Sequence, residues 1–82
     1  MSVTSAQYSL TTTPVQIYAG DGASSVHIHT ATGKCYIGNS TVTSATGFLC
    51  DNGTIVEIAA HETPLYAASD AAASISVLVL SK

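Results

Sequence analysis

From Tyr8 to Leu80 the chain alternates apolar and polar residues with a period of two, and no stretch sustains the 3.6-residue period of a helix. Successive side chains of a strand leave opposite faces, so this alternation builds sheets that bury one face and wet the other. Tyr8 with Leu10, Val15 to Ala19, Val26 to Thr30, Cys35 with Ile37, Ile55 to Ala60, Leu65 with Ala67, and Ile75 to Val79 read as about seven strands. Between them lie Gly20-Asp21-Gly22, Thr32-Gly33, Gly38-Asn39, Asp51-Asn52-Gly53 and Asp70, residues that tolerate positive φ or bond their own backbone. Pro14 and Pro64 stand where strands begin, the place at which a missing N–H costs least. The one helix-prone run, Ala71-Ala72-Ala73, is too short to nucleate alone. The pattern predicts an all-β chain: a compact antiparallel β-sandwich or jelly-roll-like barrel, one domain over residues 1–82, with residues 1–12 available as an extended arm.

A chain of 82 residues buries a smaller share of its surface than a large domain does, and small domains commonly compensate with disulfides, a structural metal or oligomerisation. Here 46% of residues are apolar and only 9% charged, with Ser and Thr supplying most of the polarity. So few charges leave much of the surface to be covered by partners. The closing strand sharpens this expectation. Ile75, Val77 and Val79 fill one face, while Leu78 and Leu80 make the other apolar as well. An antiparallel strand at the surface of a monomer shows one polar face, so both faces are expected to be covered. Two readings stay open: a central strand packed inside the sandwich, or a strand whose second face meets another subunit.

The net charge is −3, with Lys34 and Lys82 the only Lys or Arg residues, which leaves no basic stripe for nucleic acid or an anionic membrane. No apolar run has the length of a membrane span, and the opening residues lack the basic and apolar regions of a signal peptide, so synthesis in the cytosol is expected. Cys35 and Cys50 show no CxxC or Cys/His ligand spacing. They read as buried thiols, because cytosol keeps thiols reduced and Cys35 is in phase with Ile37; a Cys35–Cys50 disulfide is the competing reading.

Candidate chemistry is sparse. His27 and His29 form an H-x-H on a strand, so both rings leave by one face, as the metal-binding pairs of cupins do. The similarity stops there, since Thr30-Ala31-Thr32-Gly33-Lys34 follows without a carboxylate, and His61-Glu62 could complete a site only from a distant strand. The pair also resembles the H-x-H of phage spike tips, where three copies hold an iron at a narrow apex, but here it lies mid-strand. Solvent-facing or interface histidines are the expectation, with no metal and no cofactor. Asp51, Asp70, Glu57 and Glu62 are scattered with no acid/base spacing, no serine sits in a nucleophile elbow, and no glycine-rich loop leads into a helix. No enzymatic activity is expected. Asn39-Ser40-Thr41 and Asn52-Gly53-Thr54 match the glycosylation triplet and are read as turns.

The stretch from Tyr36-Ile37-Gly38 through Ser40-Thr41-Val42-Thr43 and Gly47-Phe48, then Ile55 to Ile58, Pro64-Leu65-Tyr66-Ala67-Ala68 and the strand Ile75 to Leu80, resembles small β-sandwich proteins of tailed-bacteriophage virions. The resemblance covers residues 24 to 80 and departs from the usual pattern at Leu49-Cys50, where Pro and Leu are common. It implies a capsid decoration or head-fibre protein on the virion surface, made in the host cytoplasm, that assembles as a homotrimer and binds the major capsid protein. The contact residues expected on this reading are Leu78, Leu80, Tyr66 and Tyr36. The alternative is a tail or fibre module that recognises a host glycan through the turns at Tyr18 to Ser25 and Tyr66 to Ala73. With no Trp and one Phe, its aromatic platform would come from Tyr8, Tyr18, Tyr36 or Tyr66.

Overall fold

A computed structural model describes residues 2–20, 22, 25–59 and 63–81. Eight strands follow in order: β1 (Ser2–Leu10), β2 (Val15–Tyr18), β3 (Ser25–Thr32), β4 (Cys35–Gly38), β5 (Phe48–Cys50), β6 (Ile55–Ile58), β7 (Leu65–Ala68) and β8 (Ala73–Ser81). They form two antiparallel four-stranded sheets, β1-β8-β3-β6 and β2-β7-β4-β5. The expected β-sandwich is present. Every connection except β4–β5 carries the chain from one sheet to the other, so consecutive strands mostly face each other across the core. Among the described residues no helix is long and apolar enough to cross a membrane.

The core is the product of the period-two pattern. Leu10, Ile17, Val26, Ile28, Cys35, Ile37, Cys50, Leu65, Ala67, Ile75 and Val77 point between the sheets and are buried. Thr30 is the polar member of this layer, fully buried, and its hydroxyl donates to the Cys50 carbonyl at 3.2 Å, which ties β3 of one sheet to β5 of the other. That bond removes the cost of an unpaired hydroxyl in the core. Backbone bonds hold the β5–β6 turn to the same residue, continuing the β3–β6 pairing: Thr30 N–H donates to the Thr54 carbonyl at 3.0 Å, and Gly53 N–H to the Thr30 carbonyl at 2.8 Å. At the same end of the sandwich, near the start of β8, Ser69 N–H donates to the Thr11 carbonyl at 2.8 Å, linking the β7–β8 and β1–β2 connections.

The structure corrects one expectation and refines two. Residues 2–10 are not a detached arm: they pair residue by residue with β8, from Ser2↔Ser81 to Leu10↔Ala73. The strands number eight, in keeping with the reading of about seven, the additional one being Phe48–Cys50, short and paired with β4. The run from Ile55 is a strand only to Ile58, while Ala60, like His61 and Glu62, lies outside the described residues. The turns fall where Gly, Asn and Asp were read, with Gly20, Gly33 and Gly53 all at positive φ.

Gly33 shows why one of these turns admits no side chain. Its φ is +74°, and a Cβ there would stand 2.8 Å from the Ala73 Cβ and 3.0 Å from the Ala72 carbonyl oxygen. The β3–β4 turn therefore packs directly on the start of β8. Gly33→Ala combines the left-handed penalty with overpacking against a backbone that cannot yield, an expected loss of about 2–4 kcal/mol. Urea unfolding followed by circular dichroism measures it, and a loss below about 0.5 kcal/mol would show that the turn relaxes freely.

Candidate functional site

The register of the first sheet places the residues of its outer face in rows. Val3, Leu80 and Ser25 form one row; Ser5, Leu78, His27 and Glu57 the next; Gln7, Ser76, His29 and Ile55 the third. Leu78 and Leu80 thus stand on the side away from the core and are partly exposed, whereas Ile75 and Val77 on the other side are buried. β8 is central in its sheet, but no second layer of the described residues covers its outer face. Among the described residues nothing packs on this second face within the monomer, which favours the reading in which it meets a partner. Val3, 61% exposed, and Ile55, 69% exposed, extend the apolar surface to both edges. Sequence reasoning missed Val3, an isolated apolar residue near the start of its strand, and read Ile55 only as part of an apolar run; register against β8 and β3 places both on this face.

The histidines lie within this face. Val26 and Ile28 fill the core, so His27 and His29 project outward, as the alternation predicts. His27 Nε2 is 3.2 Å from Ser25 Oγ and 3.9 Å from Glu57 Oε2, and His29 is exposed. Ser5, His27, His29, Ile55, Ser76 and Leu78 line an open trough between β1 and β6. It is an apolar-floored surface with two imidazoles on its rim. Among the described residues no group of three or more His, Cys, Asp or Glu is arranged to hold a metal ion. The distant partner considered for the pair, His61-Glu62, lies outside the described residues. Asp51 accepts from Asn52 N–H at 2.9 Å, which holds it in its own turn, and Asp70 is exposed in the β7–β8 connection.

Tyr36 and Tyr66 are on the opposite side of the molecule. They sit on the outer face of the second sheet with Ala68, and the β4–β5 loop folds back so that Val42 covers them. Tyr36 is buried, and the Tyr66 hydroxyl accepts from Gln16 Nε2 at 3.3 Å. The loop lies flat because Gly47 has no side chain: a Cβ there would stand 2.6 Å from the Tyr36 Cβ. Thr43 and Thr46 bond each other and the loop backbone, and Asn39 Oδ1 accepts from Thr41 N–H at 3.0 Å, the turn read from the sequence. The four expected contact residues therefore divide into an open pair, Leu78 and Leu80, and a pair already used in a small second core. Tyr18 is buried and Tyr8 packs against the main core, so the four tyrosines do not share a platform. Of the loops named for glycan binding, residues 21, 23 and 24 lie outside the described ones.

Cys35 and Cys50 are register partners in β4 and β5, both buried and both free thiols. Burial pushes Cys35 up to about 12, with the neighbouring Cys50 adding to the effect, and Cys50 is raised by burial alone. Such thiols are poor nucleophiles at neutral pH and serve as packing groups. Because the folded state holds the proton more tightly than the unfolded chain, the stability linked to Cys35 is complete below pH 9 and is lost as pH rises from 9 towards about 12. Urea midpoints measured across that range should fall with pH, and less steeply for Cys35→Ala; parallel slopes would contradict the burial argument. Comparison of the chain with protein-family models, curated proteins and solved structures returns no match.

Proposed function

We propose that this chain is a structural component of a tailed-phage virion, a capsid decoration protein that self-associates and binds the assembled head without catalysing a reaction. The observation that carries the reading is the outer face of β8, where Leu78 and Leu80 are partly exposed, with Val3 across from Leu80 and Ile55 at the far edge of a sheet face whose described rows carry one acidic residue, Glu57. A lone exposed leucine is ordinary, but several apolar side chains gathered among Ser, Gln and His on one open face of a small domain mark a contact surface. The sequence resemblance to virion β-sandwiches supplies the class of partner, the major capsid protein. Binding that exists only on the assembled shell stabilises the shell by mass action, and modest contacts multiply over many copies.

Cryo-electron microscopy of purified particles tests it. Density for this sandwich on the head, with the outer face of β1-β8-β3-β6 against capsid subunits, is the expected result. Density at the tail tip would favour the glycan-binding module, and absence from purified particles would remove the virion reading.

A further inference from the structure

The edge of a sheet is a row of backbone N–H and C=O groups with no strand beside it, and proteins protect such edges by shortness, bulges, proline or charge. Among the described residues four strands hold edge positions: β1 and β6 in one sheet, β2 and β5 in the other. Three are protected. β2 follows Pro14 and breaks register between Gln16 and Tyr18. β5 has only three residues, and β6 has four, one of them Glu57.

β1 has none of these devices. It runs nine residues without a charge, a proline or a glycine, and its register with β8 is unbroken from end to end. Val3 through Gln7 are exposed. Thr4 and Ala6 have the inward parity of Tyr8 and Leu10, yet the second sheet does not cover them. Together with Tyr8, Ile17 and Val79 they line an open groove along the inner side of the strand. The longest edge among the described strands is thus regular, neutral and flanked by an uncovered groove of mixed polar and apolar lining.

We propose that β1 is a docking edge for β1 of a second copy of this chain, the two strands pairing antiparallel about a two-fold axis so that two four-stranded sheets become one continuous eight-stranded sheet. The strand is complementary to itself. An axis normal to the sheet through Ala6 sets Ala6 against Ala6, Ser5 against Gln7, Thr4 against Tyr8 and Val3 against Ser9. Inward residues meet inward ones, and the smallest side chain lies on the axis, where like meets like. Two Thr–Tyr cross-strand pairs, of the β-branched and aromatic kind that stabilises antiparallel strands, flank it. No like charges meet, because the strand carries none. Self-pairing of this type is isologous and closes on itself. The contact lies at the sheet edge and leaves the face of Leu78 and Leu80 free, so it does not depend on the capsid reading.

The test is sedimentation equilibrium of the full chain over about 1 to 100 μM, a range that resolves micromolar association. The expected mass is twice the 8.3 kDa of the chain. Ala6→Lys, which sets two ammonium groups on the axis, and Gln7→Lys, a change at an exposed side chain, should each return the mass to that of one chain while circular dichroism stays that of a β protein. Should Ala6→Lys fail to fold, Gln7→Lys decides. A monomer at every concentration overturns the proposal, as does a dimer that survives the lysine substitution. Backbone amides of β1 that gain hydrogen-exchange protection only with another protein, and never with concentration, would overturn the second copy in favour of a foreign strand.

Discussion

Ile75→Asp should abolish the folded state, leaving a chain with no cooperative thermal transition. Ile75 lies at the middle of the core, paired with Tyr8 of β1 on one side and Thr30 of β3 on the other, and is 1% exposed. The loss of a large buried aliphatic side chain costs about 2–5 kcal/mol. A carboxyl group in its place has no cation within the core, so it must either be buried as a charge or take up a proton and remain under-bonded, a further cost of several kcal/mol. A domain of this length is held by about 4–12 kcal/mol in total. The two losses together match or exceed that reserve. Near-ultraviolet and far-ultraviolet circular dichroism on heating would show it, and a sharp transition within about 5 °C of the parent would mean that the sandwich opens to admit water at this point.

Period two located most of the fold, and its failures have one cause. The alternation records burial, so it is visible only where the opposite sheet covers a strand. In β1 it is clear at Tyr8 and Leu10, which reach the core, and faint at Thr4 and Ala6, where the second sheet has ended. An arm and the overhanging half of an edge strand look alike in sequence for that reason. β5 is three residues long, with Phe48 and Leu49 exposed and only Cys50 buried, which is too short for a period to declare itself. The central strand β3 was the opposite case. Val26, Ile28 and Thr30 are fully buried and His27 and His29 face outward, as the pattern requires.

The candidate surface was half legible. Leu78 and Leu80 stood out because both faces of β8 are apolar, yet periodicity cannot say what lies against the second face; only the sheet order shows that nothing in the described chain does. Tyr36 and Tyr66 were grouped with them by motif, and a folded-back loop assigns them elsewhere. Val42, a single valine in a run of Ser and Thr, was the available signal: an apolar residue in a polar loop has to be buried somewhere, and here it is buried on the two tyrosines.

The same substitution three positions further along β8 should have a different consequence. Leu78→Asp combined with Leu80→Asp is expected to leave the monomer folded and, on the capsid role proposed above, to remove binding to the shell. Both side chains point away from the core, so a carboxylate at either position remains in contact with water. At position 78 it also stands across from His27, an imidazole that can answer the charge, although Glu57 beyond it opposes part of the effect. Stability should therefore change by no more than about 1 kcal/mol. Binding should change far more. Burying each leucine against a partner is worth about 1.5–3 kcal/mol, so losing two removes about 3–6 kcal/mol per copy before any repulsion is counted. At 1.4 kcal/mol per factor of ten, that is a loss of about 100- to 10,000-fold in affinity for each contact. Co-sedimentation with heads stripped of the native protein reads the binding, and circular dichroism reads the fold. An unfolded double variant would show that this face packs within the monomer after all. A folded variant that still saturates the heads at parental concentration would show that the outer face of β8 is merely exposed, and the contact would then have to be sought on the second sheet.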